Sequence, residues 1–210
     1  MLNKLLLKIF SFLSALRIKF SPMLNRVFFR VRGIKFGRNL TVMGSLKVVN
    51  KGHISIGDNF MFVSGESISP ISSNLQGSIY VEEGGEVSIG NNVGMTSTRM
   101  WIAKGLKIGD NVKVGANVLL MDTDTHQVDY LQRREGHGPI ASAPITIEDD
   151  VWIGAQCIIL KGVTIGARSI IGAGSVVTKD IPSDCIAAGN PCRVIRSLKP
   201  QTSYENETHP

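Results

Sequence analysis

The sequence predicts a mainly β protein, a three-sided parallel β-helix with a short helical segment before it. Three observations carry this. From Ile145 to Pro182 the chain repeats every six residues: ITIEDD, VWIGAQ, CIILKG, VTIGAR, SIIGAG, SVVTKD, IP. The third positions, Ile147, Ile153, Ile159, Ile165, Ile171 and Val177, are all β-branched and aliphatic. Four of the positions that follow are small or permissive, namely Gly154, Gly166, Gly172 and Thr178. A period of six matches neither a helix nor a plain strand. It matches a chain that runs straight, turns and repeats, so that three edges close one coil and stacked coils build a solenoid. The repeated Ile or Val points inward and the small residue sits at the corner.

The same phase recurs upstream. LKIGDN, VKVGAN and VLLMDT (106–123) make one coil with Ile108, Val114 and Leu120 inward. VSIGNN and VGMTST (87–98) share a register, one extra residue shifts the phase before Ile102, and ISIGDN (54–59) begins the series. The tract 60–86 is ragged and is expected to carry a bulging loop. Between Thr123 and Ile145 the pattern vanishes, which predicts a projecting loop over 124–144 of the kind that carries function.

Composition agrees with a stacked aliphatic core. Hydrophobic residues make up 43% of the chain but aromatics only 6%, and 22 glycines supply repeated corners. The three cysteines form no CxxC or zinc pattern, which favours a reducing, cytoplasmic compartment. Cys157 stands at a repeat position and reads as a small packing residue.

Charge is unevenly placed. Residues 1–57 hold eleven Lys or Arg and no Asp or Glu, whereas the remainder holds twelve basic and seventeen acidic groups. A mildly acidic body argues against nucleic acid as partner. A basic N-terminus argues for contact with something anionic. MLNKLLLKIFSFLSALRIKF reads as an amphipathic helix, and MLNRVFFRVR as a second one, with Ser21 as N-cap, Pro22 at its first position and Gly33 as left-handed C-cap. Residues 1–32 either cap the open end of the solenoid or lie on an anionic lipid surface at the inner face of the cytoplasmic membrane, and both roles are compatible. Lys8, Arg17 and Lys19 interrupt the apolar run, so a transmembrane span is not expected. The expected units are a basic helical segment (1–40), the β-helix (41–196) and a flexible tail (197–210).

The segment Ile54 to Arg196 resembles the hexapeptide-repeat acyltransferases with a left-handed β-helix, notably the maltose, galactoside and sugar O-acetyltransferases and those of surface-polysaccharide pathways. The resemblance rests on VWIGA, IGAGSVVTKDIP and AAGNPCRVIR together with the upstream DTDTH. It implies a homotrimer with an active site between subunits, acetyl-CoA as co-substrate, and a sugar or glycan hydroxyl as acceptor. Relatives often carry an Asn just before the LKIGDN coil. Here GMTSTRMW stands in its place, leaving Ser97 and Thr98 as the candidate acceptor-binding residues.

The resemblance places the general base at His126. The chemistry agrees, because a hydroxyl attacking a thioester must lose its proton as the bond forms. An imidazole with an ordinary pKa near ~6.5 suits that task at neutral pH. In an extended DTDTH segment, Asp122, Asp124 and His126 share one side, so either carboxylate is a candidate to orient the ring. By match to the family motif, Trp152 packs along the pantetheine arm and the backbone N–H groups of Ala155 and Ala173 bind it. Thr178 and Lys179 lie toward the adenine and phosphate end, and Arg193 and Arg196 reach phosphates. No set of histidines has zinc-ligand spacing, so no metal is expected. The alternatives are N-acetylation of an amino-sugar nucleotide and a catalytically silent trimeric scaffold.

Overall fold

A computed structural model describes residues 20–65 and 75–198. The expected helix over 1–20, the bulge within 60–86 and the tail beyond 198 fall largely or wholly outside them. The described chain winds into a three-sided solenoid of parallel sheets.

The first face stacks Lys35–Phe36, His53–Ile56, Glu86–Ile89, Gly105–Ile108, Ile145–Ile147 and Thr164–Ile165. The second stacks Thr41–Gly44, Met61–Ser64, Gly94–Thr96, Lys113–Ala116, Trp152–Ile153, Ile170–Ile171 and Cys185–Ala188, and ends on the antiparallel strand Arg193–Ser197. The third stacks Leu46–Asn50, Gly77–Val81, Arg99–Ile102, Leu119–Met121, Ile158–Leu160 and Val176–Val177. The register is that of the repeat: Ile147 pairs with Ile165, Ile153 with Ile171 and Ile159 with Val177, each three hexapeptides apart. All six of these residues are fully buried, and so are Ile108, Val114 and Leu120 upstream to within a few per cent.

The first position of each hexapeptide is also inward, which the sequence reading did not assign. Val151, Cys157, Val163, Ser169 and Ser175 are buried at the corners. The buried hydroxyls are satisfied locally: Ser169 Oγ donates to Pro182 O at 2.7 Å, and Ser175 Oγ to Gly172 O at 2.5 Å.

The small residues sit at the corners as expected. Gly154, Gly166 and Gly172 do not adopt positive φ; the left-handed residue comes two places later, at Gln156, Arg168 and Gly174. What the small residue provides is clearance for the next coil. A Cβ on Gly154 would sit 2.5 Å from Ala173 N, and one on Gly115 would sit 2.6 Å from Ala155 N. At the corner between the first and second faces the left-handed residue of the first four coils is an asparagine, Asn39, Asn59, Asn92 and Asn111, a type that tolerates this conformation. Their side-chain amides form a ladder, each Nδ2 donating to the next Oδ1 at 2.8–3.0 Å.

Helix α1 is described over residues 20–31 and closes the N-terminal end. Because residue 20 is already helical, Ser21 does not begin the helix as expected. It is buried, and its hydroxyl accepts from Gly44 N–H at 3.1 Å. Strands of the first coil would otherwise leave carbonyls bare at the open end. Asn25 Nδ2 donates to Val42 O and Gly44 O, Arg26 Nε to Leu40 O, and Arg32 Nη1 to Val48 O. The helix stops as expected at Gly33, at φ +69°. Gly33 N–H donates to Arg30 O and Ile34 N–H to Phe29 O, the paired bonds of a Schellman cap, with Phe29 and Ile34 both in the core.

The three outer faces differ. The first carries His53, Ser55, Glu86, Ser88 and Lys107, all exposed. The third carries Tyr80, Leu119, Met121, Ile158, Leu160 and Val176, all half-buried, beside exposed Trp101. Among the described residues no helix is long and apolar enough to cross a membrane.

Candidate active site

The repeat breaks between Met121 and Ile145, where the chain leaves the third face and returns to the first. The neck of this excursion is a short antiparallel contact. Asp124 N–H donates to Ala141 O, Ala143 N–H donates to Asp122 O, and Ser142 Oγ lies 3.0 Å from Thr123 Oγ1. Beyond the neck the projecting loop contains helix α2 (Tyr130–Glu135), which the sequence reading did not assign. Asp129 caps its start through Gln132 N–H, and Gly136 ends it in left-handed conformation. Gln127 is buried at the loop base, its Nε2 donating to Gly138 O, while Arg133 Nη1 holds the carbonyls of Gln127 and Val128.

His126 stands on this base with its side chain exposed, one residue after Thr125, which adopts φ +62°. The two carboxylates proposed to orient its ring are otherwise engaged. Asp122 is fully buried and accepts three backbone N–H groups, from Ala103, Lys104 and Gly105, at 2.6–2.7 Å. That corrects its assignment: both oxygens are spent on closing the turn below the loop. Asp124 accepts from Lys161 Nζ at 2.5 Å, in a pair about one-third exposed. Among the described residues no hydrogen bond joins His126 to either Asp. Lys161 was not singled out from sequence; it sits at the corner after Ile158–Leu160, where the next coil passes beneath the neck.

Ser97 and Thr98 are corrected as acceptor-binding residues. Both are wholly buried, Ser97 at a left-handed corner with its N–H donating to Val63 O and its Oγ 3.4 Å from Gly65 N. A side chain without accessible surface cannot meet a diffusing acceptor.

The residues assigned to coenzyme fall into two groups. Trp152 is 55% exposed on the second face, where it lines a groove of ≈ 500 Å³ with Met61, Gly94, Lys113 and Gly115. Ala155 and Ala173 follow at the adjoining edge, one coil apart, and among the described residues neither N–H has a backbone acceptor. Exposed Arg193 and Arg196 lie on the strand that ends the same sheet, three strands beyond Trp152, roughly 14 Å at ~4.8 Å per strand. Thr178 and Lys179 are exposed at the other edge of the third face, in line with Lys161 and the loop neck. The structure therefore brings Trp152, Ala155 and Ala173 together, and places the Lys161–Asp124 pair at the neck of the His126 loop across the width of the third face, about 10 Å for three extended residues.

The remaining candidates are accounted for. His137 is exposed, with Nδ1 3.3 Å from Glu135 Oε2, and His53 is exposed on the first face. Among the described residues no three His, Cys, Asp or Glu side chains converge as a metal site would require. All three cysteines are free and buried. Burial pushes the Cys157 thiol above its ordinary pKa, and Cys192 likewise.

Comparison with known proteins agrees with this architecture. Residues 144–179 match the bacterial transferase hexapeptide family (six repeats), and residues 86–121 match the hexapeptide repeat of succinyl-transferase. A galactoside O-acetyltransferase of Escherichia coli (strain K12) is 43% identical over 128 residues, which cover 60% of this chain and 61% of the relative. The chain thus spans about six-tenths of that protein's length. A hexapeptide-repeat-containing acetyltransferase from Vibrio cholerae is 31% identical over 79% of this chain and 74% of that chain, with a TM-score of 0.52. The same protein is also known complexed with acetyl coenzyme A, at 29% identity, 74% and 70% coverage and a TM-score of 0.50. A maltose O-acetyltransferase from Clostridium difficile 630 is 25% identical over 89% of both chains, with a TM-score of 0.50. The chain belongs to the hexapeptide-repeat acetyltransferase family, whose left-handed β-helix is the solenoid described above.

Proposed function

We propose that this protein is an acetyl-CoA-dependent O-acetyltransferase that acylates a hydroxyl of a sugar or glycan precursor. The observation that carries the reading is the ledge beside Trp152. Two N–H groups without backbone acceptors among the described residues, Ala155 and Ala173, stack one coil apart just past Trp152, which lines an apolar groove. Pantetheine carries amides whose carbonyls need donors at such a spacing, and its phosphates need cations such as Arg193 and Arg196 further along the sheet. The Vibrio cholerae relative's complex with acetyl coenzyme A supports the choice of ligand.

His126 is the general base in direct transfer within a ternary complex. The acceptor oxygen attacks the thioester carbonyl, its proton passes to the imidazole, and the coenzyme A thiolate leaves. The exposed ring is open to an acceptor. The ledge and the ring lie on different edges of one chain, so a composite site between copies is what sets them side by side. A homotrimer achieves this by packing the apolar third face of one copy against the second face of the next. Three buried free thiols fit a reducing, cytoplasmic compartment. Exposed Trp101, with Nε1 donating to Glu82, is better suited than Ser97 or Thr98 to meet an acceptor ring on the third face.

The test is product formation. The protein is incubated with acetyl-CoA and a panel of galactosides, glucosides and their oligomers, and acetylated sugar is read by mass spectrometry. Transfer to at least one saccharide is expected. Acetyl-CoA consumption no faster than spontaneous hydrolysis across the panel would contradict the reading.

A further inference from the structure

Helix α1 presents its main apolar stripe outward, away from the solenoid it caps. The inner side, Ser21, Asn25 and Phe29, is tied to the first coil. The outer side presents Phe20, Met23, Leu24, Val27 and Val31, exposed by 49, 69, 65, 51 and 79%. Their spacing keeps them on one stripe of the helix. These five are a third of the fifteen large hydrophobics exposed among the described residues, gathered on twelve residues of chain. A patch of that density marks an interaction surface.

Its rim is cationic. Arg26, Arg30, Arg32, Lys35, Lys47 and Lys51 are exposed around this end of the solenoid, and residues 1–57 hold no acidic side chain. The first carboxylate in the chain, Asp58, is already engaged by Arg38. We propose that α1 is an interfacial helix: one side caps the solenoid, and the other inserts its apolar stripe into an anionic lipid surface, with the rim cations at the headgroups. A second copy fits this surface poorly, because face-to-face contact would bring two uncompensated cationic rims together. Residues 1–19 carry four more Lys or Arg and no acid, so they add to the same charge rather than neutralise it. An anionic bilayer satisfies both the stripe and the rim. The placement is independent of acetyl transfer.

The experiment is co-sedimentation of the full chain with phosphatidylcholine vesicles, with and without about 30% phosphatidylglycerol. Wild type is expected to sediment with the anionic vesicles, weakly with the neutral ones, and less in high salt. The double variant Leu24→Glu, Val27→Glu replaces two exposed side chains, so its circular dichroism and thermal midpoint should stay near wild type. Its binding to anionic vesicles should fall at least ~10-fold. Undiminished binding by the double variant overturns the proposal, as does equal wild-type binding to neutral vesicles. A wild-type assembly that loses mass on the double substitution while binding no vesicle also overturns it, and assigns the stripe to a second copy.

Discussion

Lys161 Nζ and Asp124 Oδ1 lie 2.5 Å apart, joining the coil at Ile158–Leu160 to the neck of the loop that bears His126. The pair is about one-third exposed, so its share of global stability is small, about 1 kcal/mol or less. Its effect falls on position. Lys161→Met should leave the thermal midpoint nearly unchanged and lower kcat roughly tenfold, because a modest displacement of a catalytic group is costly. Steady-state kinetics beside a melting curve checks this. A loss of stability with kcat intact would assign the pair to folding alone.

Asp122 predicts the opposite balance. Its buried carboxylate serves three backbone N–H groups of a part-buried turn, and Asp122→Ala removes the acceptor of all three. With about 1.5–3 kcal/mol for a hydrogen bond to a charged group, a destabilisation of about 3 kcal/mol is expected by urea titration. Near-wild-type stability with lost activity would return Asp122 to a direct catalytic role.

The thiols separate direct transfer from an acyl-enzyme route. Burial raises the Cys157 and Cys192 pKa values, which favours the protonated, unreactive form at neutral pH. The native protein should react slowly with a disulfide reagent, and all three thiols should appear on denaturation. Cys157→Ala should retain activity. Rapid labelling of Cys157 with parallel inactivation would favour a covalent intermediate.

Arg168 and Asp184 pin the C-terminal corner, at 2.6 and 2.7 Å. The Arg168 guanidinium lowers the Asp184 pKa through its hydrogen bonds. A lowered folded-state value stabilises the protein above the ordinary carboxylate pKa of 3.8, and the benefit fades as pH falls through the lowered value. Asp184→Asn should therefore melt slightly below wild type at pH 7, and the two curves should converge in acid. The pair is partly exposed, so the gap is small and shrinks with salt. A gap that persists in strong acid would show that packing, not charge, is responsible.

Much of the fold was legible because the repeat writes one structural event per six residues. Ile147, Ile153 and Ile159 announce the inward row, and Gly33 announces the end of α1. The loop helix was legible too: Asp129, Gln132 and Gly136 are ordinary cap signals, overlooked because the segment was read as a break. The site was harder, because its relationships run between coils. Nothing local to DTDTH says that Asp122 faces Ala103–Gly105 or that Asp124 faces Lys161. Ser97 and Thr98 stand where the resemblance puts the relatives' Asn, and that alignment did not reveal that this corner is covered.

The most direct test is single-turnover acetyl transfer by His126→Ala, with acetyl-CoA affinity measured separately by titration. The expected result is unchanged coenzyme affinity with a transfer rate at least ~100-fold lower, the usual contribution of a general base. Transfer at the wild-type rate would show that the imidazole is not the base and would leave the catalytic assignment without its principal residue.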